Sequence, residues 1–122
     1  MEATELMTGD WVMNTHNQKP EQVREIRERM VMLDYNDLYD YDEIEPIPIT
    51  PDILEKNGFE KVQNLLVLQW ENGVYPSMIF VEYNPENYCL FINDMMFPKP
   101  VRFLHELHHI LMDCGIEKEI TP

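Results

Sequence analysis

Apolar and polar positions in the first half of the chain follow the period of two expected of strands. Trp11-Val12-Met13-Asn14 sets Trp11 and Met13 on one face and Val12 on the other, and Thr8-Gly9-Asp10 before it reads as a tight bend. After the polar turn Thr15 to Pro20, the stretch Glu21 to Met30 fits either period. Val23 falls opposite Arg24 in a strand, or beside Ile26 and Met30 in a helix. A strand is preferred, because a hairpin across Pro20 is the economical continuation. Met30-Val31-Met32-Leu33 gives a third strand. Glu43 to Ile49 is extended, and Pro46 and Pro48 confine it to an edge. These pieces predict a small curled antiparallel sheet of the SH3-like kind over residues 1–49.

The second half, 50–122, opens on a punctuated helix. Thr50 is a good N-cap, Pro51 at the first helical position loses no useful donor, Asp52 complements the dipole and Gly58 can take the left-handed stop. Ile49 and Leu54 stand at the positions of a hydrophobic staple. Asn64 to Trp70 is almost continuously apolar and predicts a central strand. Glu71-Asn72-Gly73 is a hairpin signal, and Ser77 to Tyr83 and Tyr88 to Asn93 complete a meander around the turn Asn84 to Asn87. Pro100 to Gly115 has the helical period: Phe103, Leu104, Leu107, Ile110, Leu111 and Cys114 share one face, Arg102, His105, Glu106, His109 and Asp113 the other, with His108 at the boundary. The expectation is a single α+β domain with the last helix laid across the meander and its two cap-forming ends at Pro100 and Gly115.

Charge narrows the partners. The 122 residues carry 23 acidic against 9 basic side chains, a formal net charge of −14. Phosphate backbones are repelled by such a surface, so direct nucleic-acid binding is not expected, whereas a protein with a basic patch is a suitable partner. No run approaches the roughly 18 apolar residues of a membrane span, and Met1 to Leu6 lacks the pattern of a secretory signal, which together favour a cytoplasmic protein, monomeric or a small homo-oligomer. Cys89 and Cys114 have no nearby cysteine partner and read as reduced, buried thiols.

Two stretches carry candidate chemistry. Asp34, Asn36, Asp40, Asp42 and Glu45 fall at positions 1, 3, 7, 9 and 12 of a calcium loop, but Leu38 stands at the fifth position, Tyr39 replaces the glycine of the sharp turn, and Pro46 follows where a helix should start. A solvated acidic loop whose tyrosines partly pack on the sheet is the preferred reading. The second stretch, His105-Glu106-Leu107-His108-His109, matches H-E-x-x-H, in which His105 and His109 would ligate zinc and Glu106 would act as general base. A third ligand is missing from the pattern. Only 13 residues follow His109, and His105, His109 and Asp113 on one straight helix would spread over about 12 Å at 1.5 Å per residue. The motif is therefore read as a coincidence on a structural helix, with no catalytic residue, no metal ligand and no cofactor. The alternative is a minimal zinc-dependent metallopeptidase built on His105, Glu106 and His109.

Three blocks carry a resemblance: Ala3 to Val12, Tyr41 to Phe59, and Val101 to Ile110 with Cys114-Gly115-Ile116. They cover about a third of the chain and resemble a family of small uncharacterised bacterial proteins of prophage or mobile-element type from gut anaerobes. The family has no established activity to carry over. Its members resemble this chain at His105 and Leu107 but often have asparagine where His109 stands, which implies that the zinc pair is not part of the family's design. The function expected is that of a non-catalytic accessory or interaction protein acting through its acidic surface on a protein partner. One specific version is a mimic of nucleic-acid charge that covers a basic surface.

Overall fold

A computed structural model of the chain describes residues 1, 3–68, 78–84, 87–93 and 95–122. The fold is α+β, as expected: antiparallel sheets throughout, one short helix between the halves and one longer helix near the C-terminus. After a turn of 3-10 helix at Ala3–Glu5 come β1 (Trp11–Asn14), β2 (Lys19–Gln22), β3 (Glu25–Ile26), β4 (Met30–Met32), β5 (Leu38–Asp40) and β6 (Ile44–Pro46). The stretch Glu21 to Met30 is thus not helical: it holds the end of β2, the short β3 and the start of β4. In place of one curled sheet, these strands make two three-stranded sheets, ordered β2-β1-β6 and β3-β4-β5. β6, with its proline, lies at an edge as anticipated. β5 lies inside the acidic loop, where no strand was expected.

Alternation along β1 explains how the two halves meet. Val12 is buried in a cluster with Leu6, Val23, Val31, Leu33 and Ile44, while Trp11 and Met13 on the opposite face pack against a second cluster built from the rest of the chain. One strand therefore contributes to both cores, and the face carrying Trp11 is the one the last helix covers.

The short helix α1 (Pro51–Lys56) follows its sequence closely: the Ile53 amide donates to Thr50 Oγ1 at 3.2 Å, and Gly58 closes the helix at φ +98°. Beyond it, β7 (Glu60–Val62), β8 (Leu65–Leu68), β9 (Met78–Asn84), β10 (Asn87–Ile92) and β11 (Met95–Met96) form one antiparallel sheet ordered β11-β10-β9-β8-β7. The predicted strand starting at Asn64 is β8, an interior strand with Leu66 and Leu68 buried. The chain turns at Gln63, at φ +56°, and adds β7 as an edge. The hairpin signal Glu71-Asn72-Gly73, with Gln69, Trp70 and Ser77, lies outside the described residues. Phe80, fully buried on β9, has Phe59 and Tyr88 edge-on at 5.3 and 6.0 Å between ring centroids.

The last helix, α2 (Leu104–Asp113), starts later than Pro100. Backbone pairing with neighbouring strands holds the preceding residues extended. Val101 exchanges both hydrogen bonds with Tyr88 (2.8 and 2.9 Å), the Ile49 amide donates to Arg102 O, and the Leu104 amide donates to Ile47 O. A helix begun at Pro100 would forfeit these bonds. Leu104, Leu107 and Leu111 form the buried stripe, as the helical period predicted. Cys114, expected to point inward, is exposed at the C-cap, and Cys89 is half-buried; both are free thiols. Past α2 the tail returns to α1, where Asn57 Nδ2 donates to Thr121 O at 2.8 Å and Asn57 Oδ1 accepts from the Thr121 amide at 3.0 Å. Among the described residues, no helix is long and apolar enough to cross a membrane.

Candidate functional site

The polar side of α2 does not face solvent along its length. Its first turns lie against β1 and the bend before it, and this contact rearranges the roles of the three histidines. His105 was expected on the outer face beside His109. It is instead 7% exposed, with its ring stacked on Phe103 (5.8 Å, 12° between planes) and edge-on to His109 at 5.8 Å. Its Nδ1 is buried and makes no hydrogen bond. Burial disfavours the imidazolium and holds the His105 pKa below its ordinary value, against the opposing pull of the Asp10 and Glu106 carboxylates.

Glu106 has a structural task. Its Oε1 accepts from the backbone amides of Arg102 and Phe103, both at 3.0 Å, satisfying donors that the start of α2 leaves free. A general base must reach a water held by the metal. Glu106 is turned back toward the N-terminus of its own helix, and it lies outside the one group of metal-type donors found among the described residues.

That group is Asp10, His108 and His109. Asp10 is 0% exposed, placed by the bend entering β1: its amide donates to Met7 O at 3.1 Å, and the Val23 amide donates to its carbonyl at 2.8 Å. The carboxylate then meets two imidazoles of α2, Oδ1 lying 2.5 Å from His108 Nδ1 and Oδ2 2.8 Å from His109 Nε2. A third donor, the Met7 amide, reaches Oδ2 at 2.7 Å. The ligand-type atoms of the three side chains all lie within 4.8 Å of one another. Gly9 makes the approach possible. It sits at φ +95°, and a Cβ there would meet His108 Cε1 at 3.4 Å, so both backbone conformation and space favour glycine beside Asp10.

His109 was one of the two zinc-ligand candidates, and the structure joins it to His108 and Asp10 while leaving His105 out of the group. Neither Asp10 nor His108 was legible as a site residue. They are 98 positions apart, and the sequence marked only a bend at Gly9-Asp10 and a histidine at the boundary of the helix face. Two cavities flank the cluster. One of about 560 Å³ has His108, Trp11, Leu104, Leu111 and Ile116 among its walls; the other, about 350 Å³, has His105, Glu106 and His109. Trp11 Nε1 is buried without a hydrogen-bond partner among the described residues.

The acidic loop forms a second feature. Its calcium pattern does not assemble. Asp34 Oδ1 accepts from Arg24 at 2.7 Å, Asp34 Oδ2 accepts from the Gln22 amide at 3.0 Å, and residues 38–40 pair with β4. The loop has a fixed frame: the Leu33 amide donates to Asp37 O, the Asn36 amide to Leu33 O, and the Tyr41 hydroxyl to Arg27 O at 2.5 Å. His16, 3.1 Å from Glu43, hydrogen-bonds its carboxylate and lowers its pKa, and the Asp40 amide adds to the effect. On this frame Tyr35 and Asn36 take left-handed backbone angles, φ +69° and +62°. Tyr35 stands 90% exposed, and Asp37, Leu38, Asp40 and Asp42, which follow it in the chain, are exposed as well.

Comparison with known proteins places no relative beside this chain: no protein-family model, no curated protein and no solved structure matches it.

Proposed function

We propose that this chain is a non-catalytic accessory or interaction protein, of the phage-like type its sequence blocks resemble, acting on a protein partner through the acidic surface around Tyr35. The observation that carries the reading is Tyr35 itself, a large aromatic side chain held almost fully in solvent at φ +69°. Left-handed backbone costs a non-glycine residue about 1–2 kcal/mol, and such strain at a framed, exposed position marks a contact surface more readily than a folding requirement. Tyrosine is among the side chains that dominate binding interfaces, since it offers a large rigid area at low entropic cost. Asp37, Asp40 and Asp42, exposed within seven residues of it along the chain, favour a basic partner, and an arginine placed over the Tyr35 ring would add cation–π attraction. The overall charge of −14 acts in the same direction at longer range.

Catalysis on the H-E-x-x-H match has weaker support, because Glu106 is engaged in capping α2 and His105 is enclosed.

The test is affinity capture from a bacterial extract with an untagged-site bait, in parallel with Tyr35→Ala and Asp37→Lys/Asp42→Lys baits. The reading requires a basic protein retained at low salt by the wild-type bait and lost with both variants. Displacement of that protein by duplex DNA would identify the charge-mimic version. A wild-type bait that retains nothing basic, or variants that capture equally well, would overturn the proposal.

A further inference from the structure

We infer that Asp10, His108 and His109 form a binding site for a borderline divalent transition-metal ion of the zinc class, independently of any role of Tyr35. The donors come from both halves of the fold. Asp10 enters β1 of the first core, and the two imidazoles come from adjacent positions of α2, presenting Nδ1 of one ring and Nε2 of the other to the same carboxylate. Adjacent helical residues point about 100° apart. With different ring nitrogens presented, both reach the same carboxylate, one at each oxygen.

Chemistry selects the ion. Two imidazole nitrogens and one carboxylate suit zinc, cobalt or nickel, whereas calcium and magnesium require sets composed largely of oxygen. The atoms lie within 4.8 Å of one another, and ligands at about 2.0–2.2 Å around a tetrahedral ion are a little over 3 Å apart. Admitting the ion therefore needs the imidazoles to step back from Asp10 by less than about 1 Å and the most widely spaced ligand atoms to close by up to about 1.5 Å, with each ring carrying its proton on the nitrogen turned away from the ion. The Met7 amide remains on Asp10 Oδ2, a supporting hydrogen bond of the kind that orients a ligating carboxylate. Electrostatics favour the exchange: Asp10 is fully buried, and its ion-pair partners among the described residues are these two imidazoles alone, with no lysine or arginine. A buried carboxylate with no lysine or arginine beside it is well suited to a divalent cation. Three protein ligands leave a position for water.

This site and the H-E-x-x-H site make opposite demands, which gives a decisive experiment. Tag-free protein is stripped with chelator and titrated with zinc chloride by calorimetry, and with cobalt chloride by visible absorption. One ion per chain is expected, with cobalt d–d bands in the visible. His108→Gln should weaken zinc binding by more than about a hundredfold, as should Asp10→Asn, whereas His105→Gln should leave it within a few-fold. Circular dichroism confirms that each variant is folded. A second readout needs no variant: long-range nitrogen–proton spectra of the wild-type rings should show the His108 Nδ1 and His109 Nε2 resonances shift on zinc addition. The inference fails if the wild-type protein takes up no stoichiometric zinc below about 10 µM, or if binding survives His108→Gln and is lost in His105→Gln, the outcome that would restore the H-E-x-x-H pair.

Discussion

Asp10 Oδ2 and His109 Nε2 lie 2.8 Å apart although 99 positions separate them in the chain, and this contact with its neighbour at His108 ties the last helix to the first strand. Removing the carboxylate leaves two imidazoles and the Met7 amide without their acceptor at a fully buried position. Asp10→Ala should therefore destabilise the metal-free protein by about 3 kcal/mol, near the lower end for breaking a buried pair because both imidazoles keep some access to water. Asp10→Asn preserves shape and one acceptor and should cost about half as much. Urea midpoints of the two variants at neutral pH measure both.

Glu106 distinguishes a capping residue from a catalytic one. Its Oε1 serves the Arg102 and Phe103 amides, so Glu106→Ala should lower stability by about 1 kcal/mol, while Glu106→Gln, which keeps an acceptor oxygen, should cost less. Denaturation curves of the two variants test the capping role; equal loss of stability in Glu106→Gln and Glu106→Ala, or no loss in either, would remove it.

Leu107 lies at the centre of the buried stripe of α2 and is 0% exposed. Leu107→Ala should destabilise by about 3 kcal/mol through lost burial and the cavity left behind. That outcome was legible from the helical period alone, as were β1, the caps of α1 and the interior position of β8, because each depends on residues close in sequence. What could not be read was the surface against which the polar face of α2 would lie. A wheel assigns His105 and His109 to one face, and only the tertiary packing decides that His105 becomes enclosed beside Phe103 while His109 meets Asp10. The start of α2 differs from its local signal for a related reason: Pro100 is a good first helical residue locally, but the pairing of Val101 with Tyr88 keeps it out of the helix.

His105 gives a pH prediction. Its pKa in the fold is lowered by burial, so the folded state favours the neutral ring, while the unfolded chain takes up a proton near the ordinary value of about 6.5. The unfolded state then binds more protons below that value, and the contribution of His105 to stability is complete above about pH 6.5 and declines as the pH falls through it. Asp10, Glu106 and Glu5 pull toward the charged ring and soften the effect, and His109 adds to it. In chelator, the stability difference between wild type and His105→Gln should shift against the wild type between pH 7.5 and pH 5. A difference that stays constant across that range would mean that His105 is not held neutral by the fold.

Tyr35 offers the opposite kind of test, in which stability should rise. The residue is almost fully exposed and contributes little packing, yet its backbone sits at φ +69°. Glycine adopts that conformation freely; relief of about 1–2 kcal/mol of left-handed strain is partly offset by the greater entropy that glycine loses on folding. Tyr35→Gly should therefore stabilise the protein by about 0.5–1 kcal/mol in thermal or urea unfolding, while Tyr35→Ala should change it little. If the exposed ring is the contact made with a basic partner, Tyr35→Gly will at the same time lose capture of that partner. A more stable protein that has lost its partner is the combination expected when a strained residue is retained for binding, and a Tyr35→Gly variant less stable than wild type would show that the turn is built around the tyrosine for folding instead.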